Sequence, residues 1–294
     1  MKDNSIKIKR PELRRYLVPI NTVGTQQMFT DCLVIGSGVA GLRAAIEAAQ
    51  CGCEVILVCK KKLNDSNTWN AQGGIASVLG RDDSFESHIK DTLATGCGIC
   101  NKDTVEQVIK NGPMLVKELL EWGAEFDKNT SGGISITFEG GHSHARVAHA
   151  LGDNTGRAIA EALIKKARQF ENITIIENYF AIDIITNDSG VCIGVIGKNS
   201  KHTNEIIWAK TTILATGGAG RLFRETTNPD VATGDGLAMA ARAGAALRDM
   251  EFMQFHPTTL YIAGASRALI TETLRGEGAI LLDVNHHAFM AEYH

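Results

Sequence analysis

No stretch of the 294 residues reaches the roughly 20 consecutive apolar positions that a bilayer-crossing helix needs. The N-terminus carries Lys2, Lys7, Lys9, Arg10, Arg14 and Arg15 but lacks the apolar core of a signal peptide. It reads as a solvated basic lead-in rather than a targeting or lipid-contacting arm. There is no cationic excess either: the formal net charge is −3, which argues against a nucleic-acid surface that works by counterion release. Proline is scarce, five residues against thirty glycines, so the glycines point to tight turns and close backbone–ligand approach rather than to a disordered linker. The seven cysteines are odd in number and scattered, which favours a reducing cytoplasm. Cys97-Gly-Ile-Cys100 has redox or metal spacing, but no second Cys pair or nearby His pair completes a tetrahedral site. That pair therefore reads as structural. Internal repeats and low-complexity tracts are absent as well.

What remains is a globular composition, 44% hydrophobic and 21% charged, long enough for one large domain or one domain plus part of another. The apolar run from Asp31 to Gly36 predicts a buried strand of a parallel sheet. Val39 to Gln50 predicts a helix closed by Gly52, and Glu54 to Cys59 a second buried strand, giving a β-α-β unit. Helices are expected over Thr104–Trp122 and from about Asn154 to Phe170. Between Ile173 and Val195, β-branched runs are broken by the turn Asn187-Asp-Ser-Gly190. A last buried strand is expected over Thr211–Ala215, followed by a helix from Gly234 to Ala246.

Gly36-Ser37-Gly38-Val-Ala40-Gly41 falls between the first strand and the first helix, the context that gives such a pattern its meaning. Gly36 permits a tight turn, Gly38 lets the backbone approach a pyrophosphate, and Gly41 lets helix and strand pack closely. The helix N-terminus offers free N–H groups to the phosphates. After the second strand, the acidic residue that usually holds the ribose is replaced by Cys59, which argues against a nicotinamide-dependent dehydrogenase. Lys60, Lys61 and Lys62 follow. By themselves they read as a solvated loop, although Lys60 is placed to reach a nucleotide.

Ser66-Asn67-Thr68-Trp-Asn-Ala71-Gln72-Gly73-Gly74-Ile75 resembles the flavin-contacting signature of the succinate dehydrogenase, fumarate reductase and L-aspartate oxidase flavoprotein superfamily. Small residues and backbone amides from Ala71 to Gly74 can lie flat on an isoalloxazine ring, while Gln72 or Thr68 hydrogen-bonds its edge. The resemblance implies an α/β fold: a Rossmann-like FAD-binding domain over 31–249, after a lead-in over 1–30. The start of a substrate-capping domain would follow over 250–294. Covalent members carry a histidine where this chain has Asn67, so the resemblance implies non-covalent FAD. Ala215-Thr216-Gly217-Gly218 resembles the second flavin-contacting stretch. Thr233-Gly-Asp235-Gly236 resembles a further nucleotide-contacting segment, where Asp235 either helps bind the cofactor or caps the helix.

Thr137-Phe-Glu139-Gly-Gly-His142-Ser143-His144 points to the L-aspartate oxidase branch, which carries Glu at position 139 where the succinate dehydrogenases are apolar. A carboxylate there would pair with a substrate ammonium and disfavour succinate; the plain alternative is a loop Glu facing water. For His142, Ser143 and His144, flavin-side or structural hydrogen bonding is expected rather than catalysis. By the same resemblance His256 and Thr271 would bind one substrate carboxylate, with Glu272 beside them. Arg275 would be structural or would neutralise Glu272 and Glu277. The resemblance implies oxidation of L-aspartate in NAD biosynthesis, with oxygen or fumarate as acceptor and quinolinate synthase taking the product. The alternatives are the flavoprotein of a fumarate reductase or succinate dehydrogenase, and a non-catalytic FAD-binding remnant. The family's catalytic arginine, second carboxylate ligands and helical domain would fall past His294. The expectation is therefore either a fragment of a complete enzyme or a truncated product with no catalytic residue of its own.

Overall fold

A computed structural model describes residues 14–256, 258–262, 267–276 and 278–293. Strand β1 (Gln26–Ile35), helix α1 (Val39–Gln50) and strand β2 (Val55–Val58) form the expected β-α-β unit, with β1 and β2 parallel. Next come β3 (Ile75–Ala76), α2 (Phe85–Thr95), α3 (Lys102–Glu121), β4 (Ile136–Thr137), β5 (Val147–Ala148) and α4 (Thr155–Ala167). Strands β6 (Ile173–Ile176), β7 (Phe180–Thr186), β8 (Cys192–Lys198) and β9 (Asn204–Leu214) precede α5 (Asp235–Arg242). A two-stranded hairpin, β10 (Thr259–Leu260) and β11 (Ala268–Leu269), leads into the helical turn α6 (Thr273–Gly276).

The main sheet runs β6-β2-β1-β9-β8-β7, parallel from β6 to β9 and antiparallel from there to β7. Its central strands are apolar on both faces because both faces are covered. Cys32 and Val34 of β1, with Val55 and Leu57 of β2, pack against Leu42, Ile46, Ile159 and Leu163 of α1 and α4. Leu33, Ile35, Ile56 and Val58 face the other way, among Tyr179, Ile184, Val195, Ile207 and Met239. Leu33, Val34, Leu57 and Val58 are all fully buried, and each such side chain contributes about 1.5–3 kcal/mol. A second sheet, in the order β3-β5-β4, is antiparallel and joins segments far apart in the chain.

The structure revises the sequence in four places. The described end of the lead-in is largely exposed but also tied to the sheet: Arg15 donates to the Ile184 carbonyl (3.0 Å) and Leu17 N–H to Asp183 (2.6 Å). These contacts cover β7, an edge strand that would otherwise stand open. The sheet also begins five residues early, because β1 takes in Gln26 to Thr30. The strand expected over Thr211–Ala215 is the end of β9, whose buried residues are Glu205–Ile207 and Ala209, while Thr211 and Leu214 are exposed. The helix expected to reach Ala246 stops at Arg242, because Gly244 turns the chain at φ +91° and the Gly244 and Ala245 amides fold back onto Ala241 and Ala240. Helix α2 carries little apolar signal, and His88 is its one buried residue.

Candidate functional site

The turn after β1 is built by close backbone packing. Gly36 has φ +114°, and a Cβ there would stand 2.2 Å from the Ala215 carbonyl oxygen. A Cβ on Gly41 would stand 1.8 Å from the Gly36 oxygen, so α1 crosses the turn in direct backbone contact. Neighbouring strands meet here: Gly36 N–H donates to Val58 O and Ala215 N–H to Ile35 O, both at 2.9 Å. Helix α1 begins at Gly38, which supplies no side-chain cap. Thr68 Oγ1 accepts from Val39 N–H at 2.9 Å. An N-terminus of this kind attracts an anion through its free amides and the helix dipole.

This turn forms one wall of a cavity of about 430 Å³. Of the residues expected to hold a cofactor, Gly36, Ser37, Gly38, Ala40, Lys60, Ser66, Asn67, Thr68, Ala215, Thr216, Gly217 and Asp235 line it. Gly41 lies beneath it, packed on Gly36. Two hydroxyls serve the fold as well: Ser37 donates to Leu63 O (3.1 Å), and Ser66 accepts from Trp69 N–H (3.1 Å). Lys60 departs from the solvated-loop reading. Its ammonium, half-buried, donates to Asp235 Oδ2 and Thr233 Oγ1, each at 2.5 Å. Asp235 thus does not cap α5; it anchors Lys60 at the cavity wall. Lys61 and Lys62 do stay exposed. Burial pushes the Cys59 thiol up to about 11, so it stays neutral at the position where an acid usually binds ribose.

Ala71, Gln72, Gly73 and Gly74 lie off this cavity, on the segment entering β3. Gln72 Oε1 is buried with no hydrogen-bond partner among the described residues. A Cβ on Gly73 would meet nothing within 4 Å, whereas one on Gly74 would come within 2.4 Å of Val147 Cγ1 and 3.1 Å of His149 Cε1. Gly217, at φ +67°, likewise faces open space. An orphaned amide oxygen, two bare glycine backbones facing open space and a helix start whose N-cap glycine brings no side chain fit a dinucleotide carrying a flat ring.

The small sheet carries the second half of the site. Strand β4 leads into Glu139 and β5 into His149, and β5 pairs with β3. Glu139 does not face water: its side chain is 13% exposed, with Oε1 3.1 Å from His149 Nε2. Thr273 Oγ1 donates to the same oxygen at 3.3 Å. His149, Thr137, Thr271, Thr273 and Leu274 line a second cavity of about 460 Å³, with Asp127, Ser135 and Asp153 opposite. The β10–β11 hairpin carries His256 before its first strand and Thr271 after its second. Its ends are tied by Ile270 N–H to Thr258 O (3.3 Å) and Thr258 Oγ1 to Ile270 O (3.1 Å). Thr258 N–H also donates to His256 Nδ1 at 3.2 Å. Glu272 is ion-paired with Arg275, and its Oε1 lies against Gly140. Glu277, the second acid assigned to Arg275, lies outside the described residues.

His142, Ser143 and His144 belong to a structural network around Arg146, which is fully buried. Arg146 grips Asp83 with two hydrogen bonds (2.9 and 2.7 Å) and Asp91 with a third (2.7 Å). Burial works against the Asp91 charge, but the Ser143 N–H and hydroxyl and the Arg146 guanidinium outweigh it and lower its pKa to about 2. Burial, reinforced by the Arg146 charge, holds the His88 and His142 rings below the usual histidine range. Sequence reasoning missed Arg146, Asp83, Asp91, His149 and Thr273. A signal existed only for His149, a lone polar residue between Val147-Ala148 and Ala150.

A β-α-β unit whose glycine turn feeds a cavity of this kind defines a dinucleotide-binding flavoprotein domain. The comparisons agree: the chain belongs to the FAD-binding domain family described as "FAD binding domain", which matches residues 31–294. It is 43% identical to the L-aspartate oxidase of Streptomyces coelicolor over 271 residues, covering 90% of this chain and 47% of that protein. With the L-aspartate oxidase of Bacillus subtilis it shares 46% identity over 261 residues, 89% of this chain and 48% of that one. Among solved structures, E. coli quinol fumarate reductase FrdA superposes with a TM-score of 0.87 at 37% identity, over 92% of this chain and 46% of that chain. The chain thus spans about half the length of the curated relatives it matches. No described helix is long and apolar enough to cross a membrane.

Proposed function

We propose that this chain carries the FAD-binding half of an L-aspartate oxidase, which oxidises L-aspartate to iminoaspartate. Bound FAD would supply the two-electron chemistry, accepting a hydride from Cα at N5. The α1 N-terminus and the Gly36–Ala40 turn would hold the diphosphate, and Lys60, fixed by Asp235, would add positive charge beside it. Asn67 lacks the imidazole needed for a covalent link, so the cofactor is held non-covalently. His256 and Thr271 would bind one substrate carboxylate, and Arg275 would keep Glu272 from repelling it. Oxygen or fumarate would take the electrons, and quinolinate synthase the product, in NAD biosynthesis. Seven free cysteines suit a reducing cytoplasm.

The observation that carries this reading is the sheltered carboxylate of Glu139, 13% exposed and just past β4 of the small sheet whose β3 follows the Ala71–Gly74 segment. A carboxylate withdrawn from water needs a partner for its charge, and a substrate ammonium is one. The test is Glu139→Gln in the FAD-loaded complete enzyme. Affinity for L-aspartate should fall about ten- to a hundredfold, the worth of one hydrogen bond to a charged group. Fumarate, which has no ammonium, should be used as before. Equal losses on both, or flavin reduction by succinate alone, would overturn the reading and favour a fumarate reductase or succinate dehydrogenase.

A further inference from the structure

Glu139 is held by one oxygen only. His149 Nε2 (3.1 Å) and the Thr273 hydroxyl (3.3 Å) both converge on Oε1, and no described residue hydrogen-bonds Oε2. The side chain of His149 is 7% exposed, and its Nδ1 is buried without a partner among the described residues. That orphan decides the tautomer. Protonating Nδ1 would bury an unpaired N–H, and in a doubly protonated ring a charge as well, whereas an unpaired lone pair costs less. The Glu139 oxygen points the same way, because at 3.1 Å it would face a bare lone pair if Nε2 carried no hydrogen; the Thr137 hydroxyl, 2.9 Å from Nε2 and 3.3 Å from Val147 O, can then donate to Val147 O and accept from the ring. The ring therefore carries a hydrogen on Nε2, shared with Thr137 Oγ1, with Glu139 Oε1 beside it at 3.1 Å.

We infer that His149, with Thr273, is the positioning pair that sets specificity for an α-amino dicarboxylate, holding Glu139 through Oε1 and presenting Oε2 to the substrate ammonium. This rests on the reading of Glu139 given above. A freely rotating carboxylate would lose side-chain entropy on meeting the ammonium; one bonded by the Thr273 hydroxyl and set against the His149 ring has lost it on folding. Thr273 follows Thr271 by two residues, so the contact at 3.3 Å also joins the segment proposed for the substrate carboxylate to the residue proposed for its amine. His149 touches no reacting atom in this scheme. Its effect passes through Glu139.

The test compares binding of L-aspartate and of succinate, the same dicarboxylate without the amine, to the FAD-loaded protein, read from the flavin absorption spectrum. His149→Leu should weaken L-aspartate about tenfold or more and succinate less than about twofold. His149→Gln, whose amide N–H reaches the same oxygen, should recover most of the loss. Equal weakening of both ligands by His149→Leu would overturn the inference, because a merely structural role predicts that result. The outcome for Glu139→Gln separates the two claims. If it spares L-aspartate, the reading of Glu139 fails; if it is selective while His149→Leu is not, only the positioning role fails. Should His149→Leu not fold, the unaltered protein still decides. Long-range nitrogen–proton NMR at neutral pH should find His149 protonated on Nε2 alone, and a proton on Nδ1 sinks the proposal.

Discussion

Replacing Arg146 by Met keeps much of the side chain's length and removes its charge, leaving Asp83 and Asp91 without a cation. Asp83 is 2% exposed and Asp91 15%, so neither carboxylate can recover its lost partner from bulk water. Breaking a buried ion pair by removing one member costs about 3–5 kcal/mol. Here two acids are stranded, and the cost belongs at the upper end. A domain of ordinary stability, about 5–15 kcal/mol, would lose a third or more of it. Urea unfolding at neutral pH should therefore show a much lower midpoint with an unchanged slope. The sign of the pH response is fixed too. In the native protein these carboxyls titrate below the ordinary value of 3.8, Asp91 at about 2, so their stabilisation is complete above 3.8 and is lost as pH falls toward 2. In Arg146→Met both carboxyls lose the guanidinium and titrate higher than in the native protein, although Asp91 keeps its two Ser143 hydrogen bonds; they become neutral at milder acidity, which stabilises the variant. The gap between the two proteins should shrink between about pH 6 and pH 3. A deficit under about 1 kcal/mol at neutral pH, or a gap that widens in acid, would refute the argument.

Two glycines should separate fold from cofactor. Gly41→Ala drives a Cβ into the Gly36 backbone, with rigid chain on both sides. It should cost at least the roughly 3 kcal/mol at the top of the overpacking range and give protein that melts early and fails to turn yellow with FAD. Gly73→Ala meets nothing within 4 Å. Its melting temperature should stay unchanged while FAD titration shows weaker binding, and unaltered binding would remove Gly73 from the flavin surface. Cysteine reactivity offers a third check. Cys51 and Cys97 are exposed, whereas the Cys59 thiol is buried and raised to about 11. Alkylation at pH 8 followed by mass spectrometry should modify Cys51 and Cys97 first, and early labelling of Cys59 would show that the cavity wall opens.

Local rules were enough for the turn and its flanks. Gly36, Gly38 and Gly41 declare themselves because each answers to a neighbour within a few residues or to the strand beside it, and α1 has the bounds its apolar spacing implies. The small sheet left no such trace. Its strands are two residues long, and Ile75 pairs with Ala148, 73 residues further on (148 − 75), so no short window of sequence contains both halves. Arg146 meets Asp83 across 63 residues and Asp91 across 55; Thr273 meets Glu139 across 134. Contacts of that span carry no periodicity to detect. Lys60 stands out poorly in the sequence for a related reason. Beside Lys61 and Lys62 it looks like one of three solvated charges, and only Asp235, 175 residues on, distinguishes it.

The same small sheet explains why one chain segment can serve both cofactor and substrate. Gly74 ends the stretch proposed to lie on the flavin, and its missing side chain is what admits Val147 and the ring of His149 to within about 3 Å of where a Cβ would stand. Beyond His149 stands Glu139, and beyond Glu139 stands Thr273. A single row of contacts thus runs from the proposed ring-binding backbone, through the imidazole, to the carboxylate proposed for the amine and on to the segment proposed to grip a carboxylate. Each member is fixed by the one before it. The distance between a bound ring and a bound substrate would then be set by packing along β3 and β5 rather than by loop motion, and it is this distance that a hydride transfer must hold constant.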